Sequence, residues 1–367
     1  MLTPRDEQDL AEAVRGASGP LCITGGGTRP IGQPVTGEGL SVAGVSGITL
    51  YEPGALTIVA GAGTPVAEVA AALAAEGQML PFEPMDHRGL LGTEGVPTIG
   101  GVVAANMSGP RRVRAGACRD SLIGVRFVDG EGRVVKNGGR VMKNVTGYDL
   151  VKLLAGSWGT LGVLSEVSFK VLPKPGAETT LVASGLSPEE AVRAMSAALG
   201  SPYEVSGAAH HVGSGTTWLR LEGLAASVAY REGRLSEALG NAAAWAVSGE
   251  DVWPGIRDVS AFQGVPGDVW RMSVKPSDAP GLLERSGAED AVLDWGGGLL
   301  WLRLPEGTDL RARLGDFGGH ATLIRASEEM RATSAVFEPE PAPLRALAEG
   351  LRAQFDPKGI FNPGLMG

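Results

Sequence analysis

Two glycine-rich stretches decide the fold of this chain: TIGGVVAANM at residues 98–107 and KNVTGYDLVKLLAGSWGTLGVL at residues 143–164. The first predicts a tight turn at Gly100 and Gly101 that opens a short helix. The second predicts a helix over about 148–155, then a turn and a strand. Because a helix start leaves N–H groups unpaired and carries partial positive charge, the first stretch suits a phosphate group. The same glycines are also what a tight turn alone requires.

Three further motifs accompany them: CITGGGT at residues 22–28, GAGTPVAEV at 61–69 and DPKGIFNPG at 356–364. With all five in this order, the chain resembles the vanillyl-alcohol oxidase/para-cresol methylhydroxylase (PCMH-type) superfamily of FAD-binding flavoproteins. Within that superfamily it is similar to the FAD-binding accessory subunits of bacterial glycolate oxidase. The resemblance is dense over residues 20–175, thin over 176–330, and returns at the C-terminus.

The resemblance implies an α+β fold: a PCMH-type FAD-binding domain of two α/β subdomains, then a cap domain with split βαβ (ferredoxin-like) units. The order of predicted strands and helices from residue 180 to 239, repeated more loosely to 325, agrees with such units. We place the FAD-binding domain at 1–174, the cap or substrate-side domain at 175–333, and a linker, helix and C-terminal return to the FAD domain at 334–367. The predicted helices include 66–75, 188–199, 225–239, a first helix from Pro4 to about Arg15, and a last one at 344–354.

The same resemblance implies FAD as the cofactor. Three glycines after a short strand leave successive N–H groups unobstructed, as an anion-binding nest requires. Several members bond the flavin to a histidine, but here the loop continues Thr28-Arg29-Pro30, so we predict non-covalent FAD. For Arg114, an ion pair with Asp120 is an equal alternative. The predicted cofactor-binding residues are Gly25, Gly26, Gly27, Thr28, Thr98, Gly100, Gly101, Asn106, Ser108, Gly109, Arg114, Gly159, Thr160, Gly162 and Asn362.

One motif offers a different cofactor. LTIVAGAGTPVAEV at residues 56–69 predicts a strand, a Gly-x-Gly turn and a helix, close to the dinucleotide fingerprint of nicotinamide enzymes. Val66 stands where that fingerprint has Gly or Ala, and the acidic residue about 20 positions on, Glu83, lies between two prolines. A tight strand-to-helix turn is the favoured interpretation.

The composition narrows the class of function. The 367 residues carry a net charge of −9 and are 43% hydrophobic, which is typical of a globular protein and argues against a nucleic-acid partner. The two cysteines, Cys22 and Cys118, cannot hold a four-cysteine iron–sulfur cluster and indicate a reducing compartment. No signal-peptide pattern and no apolar run of about 18 residues is found. We expect a cytoplasmic protein, peripheral at a membrane only through partners.

No catalytic residue can be named from the sequence. Related 2-hydroxy-acid dehydrogenases of the superfamily carry a paired-histidine metal motif, and no such segment surrounds any of the four histidines. His210 and His211 are adjacent and would point to opposite faces of a strand, so they could not share one metal. His87, in the proline-rich loop MDHRG, is compatible with facing either the flavin or the solvent, and His320 has no second histidine nearby. We predict no metal in this chain.

The resemblance implies oxidation of a small 2-hydroxy acid, such as glycolate, to the 2-oxo acid. Two functions for this chain remain open. In the first, the chain is a FAD-binding subunit that works with a sister FAD-binding catalytic subunit and an iron–sulfur subunit. In the second, it is a stand-alone FAD-dependent 2-hydroxy-acid dehydrogenase with a metal-free site. The missing histidine pair favours the first.

Overall fold

The computed structural model describes residues 1–139, 147–240 and 243–367. Residues 143–146 of the second glycine-rich stretch therefore lie outside the described residues. The first part of the chain, to about residue 174, contains short strands and helices. Its strands are β1 (Leu21–Thr24), β2 (Glu38–Ser41), β3 (Ile48–Glu52), β4 (Thr57–Gly61), β5 (Gln78–Met79), β6 (Leu122–Val128), β7 (Val134–Gly138), β8 (Val163–Lys170) and β9 (Leu172–Pro173). Its helices are α1 (Glu7–Gly16), α2 (Val66–Ala75), α3 (Arg88–Leu91), α4 (Ile99–Ala105), α5 (Arg112–Ala115), α6 (Cys118–Ser121) and α7 (Leu150–Leu154).

A five-stranded sheet in the order β3-β4-β8-β6-β7 forms the centre of this part. All four of its strand pairs are antiparallel. A dinucleotide-binding βαβ unit needs parallel strands, so the nicotinamide alternative at residues 56–69 is wrong. A Cβ on Gly63 would collide with the carbonyl groups of Val42 and Ala43, and the glycine therefore serves close packing in this turn.

Two apolar cores hold the first part together. One lies between the five-stranded sheet and helices α2 and α4, and includes Val69, Leu73 and Val102. The other lies under α1, where Leu10 and Val14 pack with residues of β1, β2 and the C-terminal segment. The side chain of Asp6 accepts a hydrogen bond from the N–H of Asp9, so α1 begins at Glu7 and not at the predicted Pro4.

The middle of the chain forms an eight-stranded antiparallel sheet in the order β13-β10-β12-β11-β15-β16-β14-β17. Its strands are β10 (Ala177–Ala183), β11 (Gly207–His211), β12 (Thr216–Gly223), β13 (Ala246–Val247), β14 (Asp268–Val274), β15 (Asp290–Asp294), β16 (Leu299–Leu304) and β17 (Gly319–Arg325). The helices that follow α7 are α8 (Pro188–Leu199), α9 (Ala225–Leu239), α10 (Trp253–Arg257), α11 (Ala279–Ser286), α12 (Leu310–Leu314), α13 (Glu328–Thr333) and α14 (Ala342–Phe355).

This sheet consists of two split βαβ units joined edge to edge. Each unit runs strand, helix, two strands, helix, strand, and each has the spatial order fourth, first, third, second. The second strands of the two units, β11 and β15, pair with each other where His210 opposes Leu293 and His211 opposes Val292. The prediction of ferredoxin-like units is confirmed, and so is the α+β class.

The two faces of the eight-stranded sheet differ in chemistry. On one face, residues such as Leu219, Leu300 and Trp270 are buried in the largest apolar core, together with residues of helices α8, α9, α11 and α12. Successive side chains of a strand alternate between faces, so their sequence neighbours lie on the other face. This second face, called here the outer face, carries Arg220, Arg271 and other charged side chains.

Several predicted elements have different limits in the structure. The helix expected over about 148–155 is the single turn α7, and the strand expected after the following turn divides into β8 and β9. The helices at Val66–Ala75, Pro188–Leu199 and Ala225–Leu239 are confirmed at both ends. The last helix, α14, contains no buried residue, and the chain then returns to β1, where Phe361 bridges Leu21. Within the described ranges no helix is long and apolar enough to cross a membrane.

Candidate functional site

A cavity of about 370 Å³ lies between the loop after β1, the start of α4 and the C-terminal tail. Backbone and small side chains form much of its wall. The predicted cofactor-binding residues that line it are Gly25, Gly26, Gly27, Thr28, Thr98, Gly100, Gly101, Gly159, Gly162 and Asn362. Four segments far apart in the sequence therefore meet around one space.

The loop Gly25–Thr28 presents backbone donors at this cavity. Gly27 has a φ of +68°, and a Cβ on Gly26 would collide with the carbonyl of Val96, so this conformation depends on glycine. Among the described residues, none accepts a hydrogen bond from the N–H groups of Gly25, Gly26, Gly27 or Thr28. Four successive N–H groups without a described acceptor are the donors that an anion-binding concavity requires, and they would suit the diphosphate of a dinucleotide cofactor.

The start of α4 differs from the sequence prediction. The N–H of Ile99 donates to the carbonyl of Thr64 at 2.9 Å, and that of Gly100 donates to the carbonyl of Ala62 at 2.8 Å. The N–H of Gly101 faces the Thr98 hydroxyl, which caps the helix at 3.4 Å. The prediction of unpaired donors here is therefore wrong. A Cβ on Gly100 would lie 2.6 Å from the Cβ of Ala62, so this glycine permits close approach of backbone.

Asn362 ties the C-terminal tail to the cavity wall. Its Oδ1 accepts from the N–H of Ile23 at 2.7 Å, and its Nδ2 donates to the carbonyl of Trp158 at 2.9 Å. Its own N–H donates to the carbonyl of Leu21. Because the side-chain amide is already paired, Asn362 fixes β1 and the turn at Gly159 relative to each other.

Five predicted residues do not line the cavity. Asn106 ends α4 and accepts from the N–H of Arg119, and Ser108 accepts from the N–H of Cys118. The Gly109 carbonyl accepts from Trp295 Nε1, and the Thr160 hydroxyl donates to the carbonyl of Ser157. Arg114 is exposed and forms an ion pair with Glu204, not with Asp120. These five side chains or carbonyls hold neighbouring segments together.

Two arginines of the cavity wall, Arg29 and Arg331, are not among the residues predicted from the sequence. Arg29 follows the glycine loop directly, and burial lowers its pKa to about 10. Arg331 comes from α13, far along the chain; its guanidinium donates to the carbonyl of Pro30 at 2.8 Å, while its Nε has no partner among the described residues. Arg29 could have been noticed from its position after the loop, whereas no sequence motif marks Arg331.

The four histidines occupy separate places. His87 is fully buried, and its Nδ1 lies 3.1 Å from Nε of Arg29. His210 is buried in the core face with Thr217, and His211 pairs on the opposite face with Asp290, which confirms the prediction that they point apart. His320 is exposed on β17. Within the described ranges no three His, Cys, Asp or Glu side chains are placed to hold a metal ion.

A cluster of five charged residues joins the outer face of the sheet to the first part of the chain. This ion-pair cluster contains Glu83, Arg111, Glu178, Arg220 and Glu222. Arg220, only 1% exposed, makes two hydrogen bonds to Glu83 at 2.9 and 3.0 Å. Arg111 makes two to Glu222, at 3.0 and 2.6 Å, and lies 3.1 Å from Glu83. Burial and the neighbouring Glu222 carboxylate raise the pKa of Glu178 to about 7.

The fold and the cavity define a FAD-binding protein. Residues 1–138 match the family model described as FAD binding domain. The folds of two solved proteins agree: an alkyldihydroxyacetonephosphate synthase (TM-score 0.70, 16% identity, 98% of this chain and 76% of that one) and a 4-ethylphenol oxidase from Gulosibacter chungangensis (TM-score 0.71, 13% identity, 99% and 88%). At these identities the likeness concerns the fold alone.

The curated relatives have a higher sequence identity to this chain than these two solved proteins do. The chain is 39% identical over 354 residues to the glycolate oxidase subunit GlcE of Escherichia coli (strain K12), covering 95% of this chain and 92% of that protein. It is 30% identical over 189 residues to the glycolate oxidase subunit GlcD of Bacillus subtilis (strain 168), covering 50% of this chain and 39% of that protein. The chain belongs to the family of the glycolate oxidase subunit GlcE.

Proposed function

We propose that this chain is the FAD-binding subunit of a glycolate oxidase complex that supports the oxidation of a small 2-hydroxy acid to the 2-oxo acid. The observation that carries the proposal is the cavity beside the Gly25–Thr28 loop, with its four free N–H groups. It lies in a chain related along 95% of its length to a glycolate oxidase subunit.

When bound, FAD supplies the hydride-accepting chemistry, and the protein supplies position and electrostatics. The loop Gly25–Thr28 would hold the diphosphate through its N–H groups. Arg29 and Arg331 bring positive charge to the same wall. Gly100 and Gly101 line the same cavity and add no side chain to the space that the cofactor would fill. Among the described residues, those that line the cavity include no histidine, which supports non-covalent attachment.

Partners complete the proposed reaction. Electrons taken from the 2-hydroxy acid must leave the flavin, and the two free cysteines, Cys22 and Cys118, belong to different segments. We assign the next steps to a sister FAD-binding catalytic subunit and an iron–sulfur subunit, with peripheral membrane contact only through these. Within this chain we assign the FAD domain to 1–174, the cap to 175–333 and the C-terminal return to 334–367.

The test is a comparison of the isolated chain with the co-expressed complex. The purified chain is expected to carry yellow FAD that acid precipitation releases into the supernatant. Anaerobic glycolate or D-lactate is expected to bleach this flavin slowly or not at all, and dye reduction is expected only after co-expression with the two partners. Rapid bleaching of the isolated chain would instead establish the stand-alone dehydrogenase, and a chain that takes up no FAD would refute both.

A pair of glycine variants tests the cavity directly. Gly26→Ala introduces a Cβ against the carbonyl of Val96, so the loop must move and its N–H groups change position. FAD affinity, measured by quenching of flavin fluorescence, is expected to fall at least tenfold, on the order of 1.4 kcal/mol or more. Gly54→Ala is the matched control, because an added Cβ there meets nothing within 4 Å. Unchanged affinity in Gly26→Ala would place FAD elsewhere.

A further inference from the structure

Trp158 brings an aromatic ring to the wall of the cavity beside the glycine loop. It lies in the turn between α7 and β8 and lines the same space as the loop Gly25–Thr28. Among the described residues that line this cavity, Trp158 carries the one aromatic side chain. The residue is partly buried, so some of its surface remains accessible. An aromatic residue and the donors of the glycine loop therefore border one space.

The backbone of Trp158 has a conformation that large side chains rarely adopt. Its φ is +52°, in the left-handed region, where glycine and asparagine are tolerated and a bulky residue is strained. Two hydrogen bonds hold it there: its N–H donates to the carbonyl of Ala104 at 2.9 Å, and its carbonyl accepts from Nδ2 of Asn362 at 2.9 Å. Strained residues of this kind cluster at ligand-binding sites. Since glycine or asparagine would form this turn with less strain, the turn itself does not require an indole.

A neighbouring aromatic ring holds the indole of Trp158. The ring centroids of Trp158 and Phe337 lie 5.3 Å apart, with 60° between the ring planes, which is an edge-to-face arrangement. Both residues also pack against the largest apolar core. In the described part of the chain no second aromatic ring lies against this indole. The indole is therefore fixed in place and has no parallel stacked partner.

FAD contains groups that are complementary to this wall. Its diphosphate suits the N–H donors of the glycine loop and the positive charges of Arg29 and Arg331, which border the same cavity. The diphosphate joins two planar ring systems, adenine and isoalloxazine. Proteins hold planar nucleotide rings by stacking them on aromatic side chains, because every such ring has a π face. Among the described residues that line the cavity, Trp158 is the one that can supply this contact.

We propose that the indole of Trp158 stacks against one of the two planar rings of FAD and that this contact sets much of the affinity for the cofactor. The inference rests on the proposed function, because it assigns a role to a further residue of the same FAD site. The left-handed turn positions the indole, and the hydrogen bonds to Ala104 and from Asn362 hold the turn. Removal of the ring is therefore expected to weaken FAD binding more than it weakens the fold.

The test is isothermal titration of the flavin-free, full-length chain with FAD. Asparagine accepts the left-handed conformation, so Trp158→Asn removes the ring and leaves the turn. Its affinity for FAD is expected to fall at least tenfold, whereas Trp158→Phe, which keeps an aromatic face, is expected to stay within about threefold of the wild type. Tyr148→Asn is the matched control, because it removes a ring that is 89% exposed and outside the cavity. Release of FAD from the loaded chains after dilution gives the same comparison without the flavin-free form.

Two further ligands identify the ring. If Trp158→Asn weakens binding of ADP and not of FMN, the indole contacts adenine; the reverse result assigns the contact to isoalloxazine. Urea unfolding of the flavin-free chain is expected to change little in Trp158→Asn, because relief of backbone strain offsets the lost contact with Phe337. Normal FAD affinity in Trp158→Asn, with or without a loss of stability, would make Trp158 a packing residue and refute the inference.

A spectroscopic measurement on the wild type does not depend on how the variants fold. In a chain labelled with 5-fluorotryptophan, the ¹⁹F signal that is missing from Trp158→Phe belongs to Trp158. This signal is expected to move when FAD is added, because a stacked ring changes its magnetic surroundings. If the chain takes up FAD and this signal does not move, the inference is refuted while the proposed function stands. If the wild type takes up no FAD, the proposed function itself fails.

Discussion

The two split βαβ units of the eight-stranded sheet use the same outer face in different ways. In the first unit, Arg220 makes paired hydrogen bonds to Glu83, and Glu222 accepts a pair from Arg111; Glu83 and Arg111 belong to the first part of the chain, so both pairs connect it to the sheet. In the second unit, Arg271 lies between tryptophan rings, and no described carboxylate accepts from it.

The difference indicates two roles for a charged side chain in this sheet: a paired charge holds two elements together, and an unpaired charge keeps its hydrogen-bond donors available. Charges that are paired and desolvated fix the relative position of two elements, since removing one partner leaves the other unpaired. A cation held only by aromatic rings keeps its donors free for a ligand. We infer that the two units differ in role: the first attaches the sheet to the first part of the chain, and the second holds a cation that no described carboxylate pairs.

The largest expected effect comes from breaking the ion-pair cluster. Arg220→Met removes the guanidinium that pairs with both oxygens of Glu83 and leaves that carboxylate, 13% exposed, with Arg111 as its remaining cation. The free energy of unfolding, measured with urea, is expected to fall by about 3–5 kcal/mol. The change also removes the packing of Arg220 on the ring of Trp253 at 4.5 Å.

Arg234→Met is the control for that experiment. Arg234 also pairs with a glutamate, Glu237, but the two side chains are 51% and 70% exposed. Exposed pairs of this kind contribute about 0.5 kcal/mol or less. If both variants lost equally little stability, the ion-pair cluster would not be what attaches the sheet.

The next effect is a pH dependence at Asp294, whose carboxylate accepts a hydrogen bond from the N–H of Trp295. Burial raises the pKa of Asp294 to about 7 from its usual 3.8, so between those values the folded state binds more protons than the unfolded state. The free energy of unfolding contributed by Asp294 is then highest at acid pH and falls as pH rises through this window, by at most about 1.4 kcal/mol per pH unit. Above about pH 7 the contribution levels off.

Asp294→Asn isolates this contribution. The amide oxygen can still accept from the N–H of Trp295, but it does not titrate. Urea unfolding of wild type and variant between pH 5 and 8 is expected to give a difference that grows in favour of the variant. If the free energies of unfolding of wild type and variant changed in parallel with pH over that range, Asp294 would have an ordinary pKa and the prediction would be wrong.

The ion-pair cluster also shows the limit of what the sequence predicts. The Ser187-Pro188 start of α8 is local, because the Ser187 hydroxyl and Glu190 carboxylate cap each other's backbone, and its helix was predicted correctly. The Arg220–Glu83 pair joins residues 137 positions apart, and its register depends on the antiparallel pairing of whole strands. No short sequence motif indicates a contact between residues so far apart in the chain.

The residues around the cavity show the same difference between local features, which the sequence predicts, and long-range contacts, which it does not. Glycines that a tight turn requires can be recognised in the sequence, and most of those predicted line the cavity. The pairing of the N–H groups at the start of α4 with Ala62 and Thr64 depends on tertiary packing and was missed. The proline-rich loop around His87 has the composition of a surface loop, yet contact with Arg29, 58 residues away, places it in the interior.

A smaller effect is expected at Glu178, on the rim of the ion-pair cluster. Glu178 lies opposite Glu222 on paired strands, so its ionisation brings two negative charges together. Because Glu178 is partly exposed, solvent screens this repulsion. Glu178→Gln is expected to stabilise the chain at pH 8 by on the order of 0.5–1 kcal/mol and to have no such effect at pH 5. A loss of stability at pH 8 would show that the Glu178 charge is needed by Arg111 or Arg220.

The smallest effect is expected at Arg271, and it completes the comparison with Arg220. Arg271→Met breaks no described ion pair, but it removes a positive charge that opposes the raised pKa of the buried Asp294 carboxyl. It forfeits the stacking on Trp295, about 0.5–1 kcal/mol, but relieves the repulsion from Arg112, which lowers the pKa of Arg271 along with burial. The free energy of unfolding without ligand is expected to change by no more than about 0.5 kcal/mol. A loss as large as that of Arg220→Met would make Arg271 a structural residue and remove the distinction between the two units.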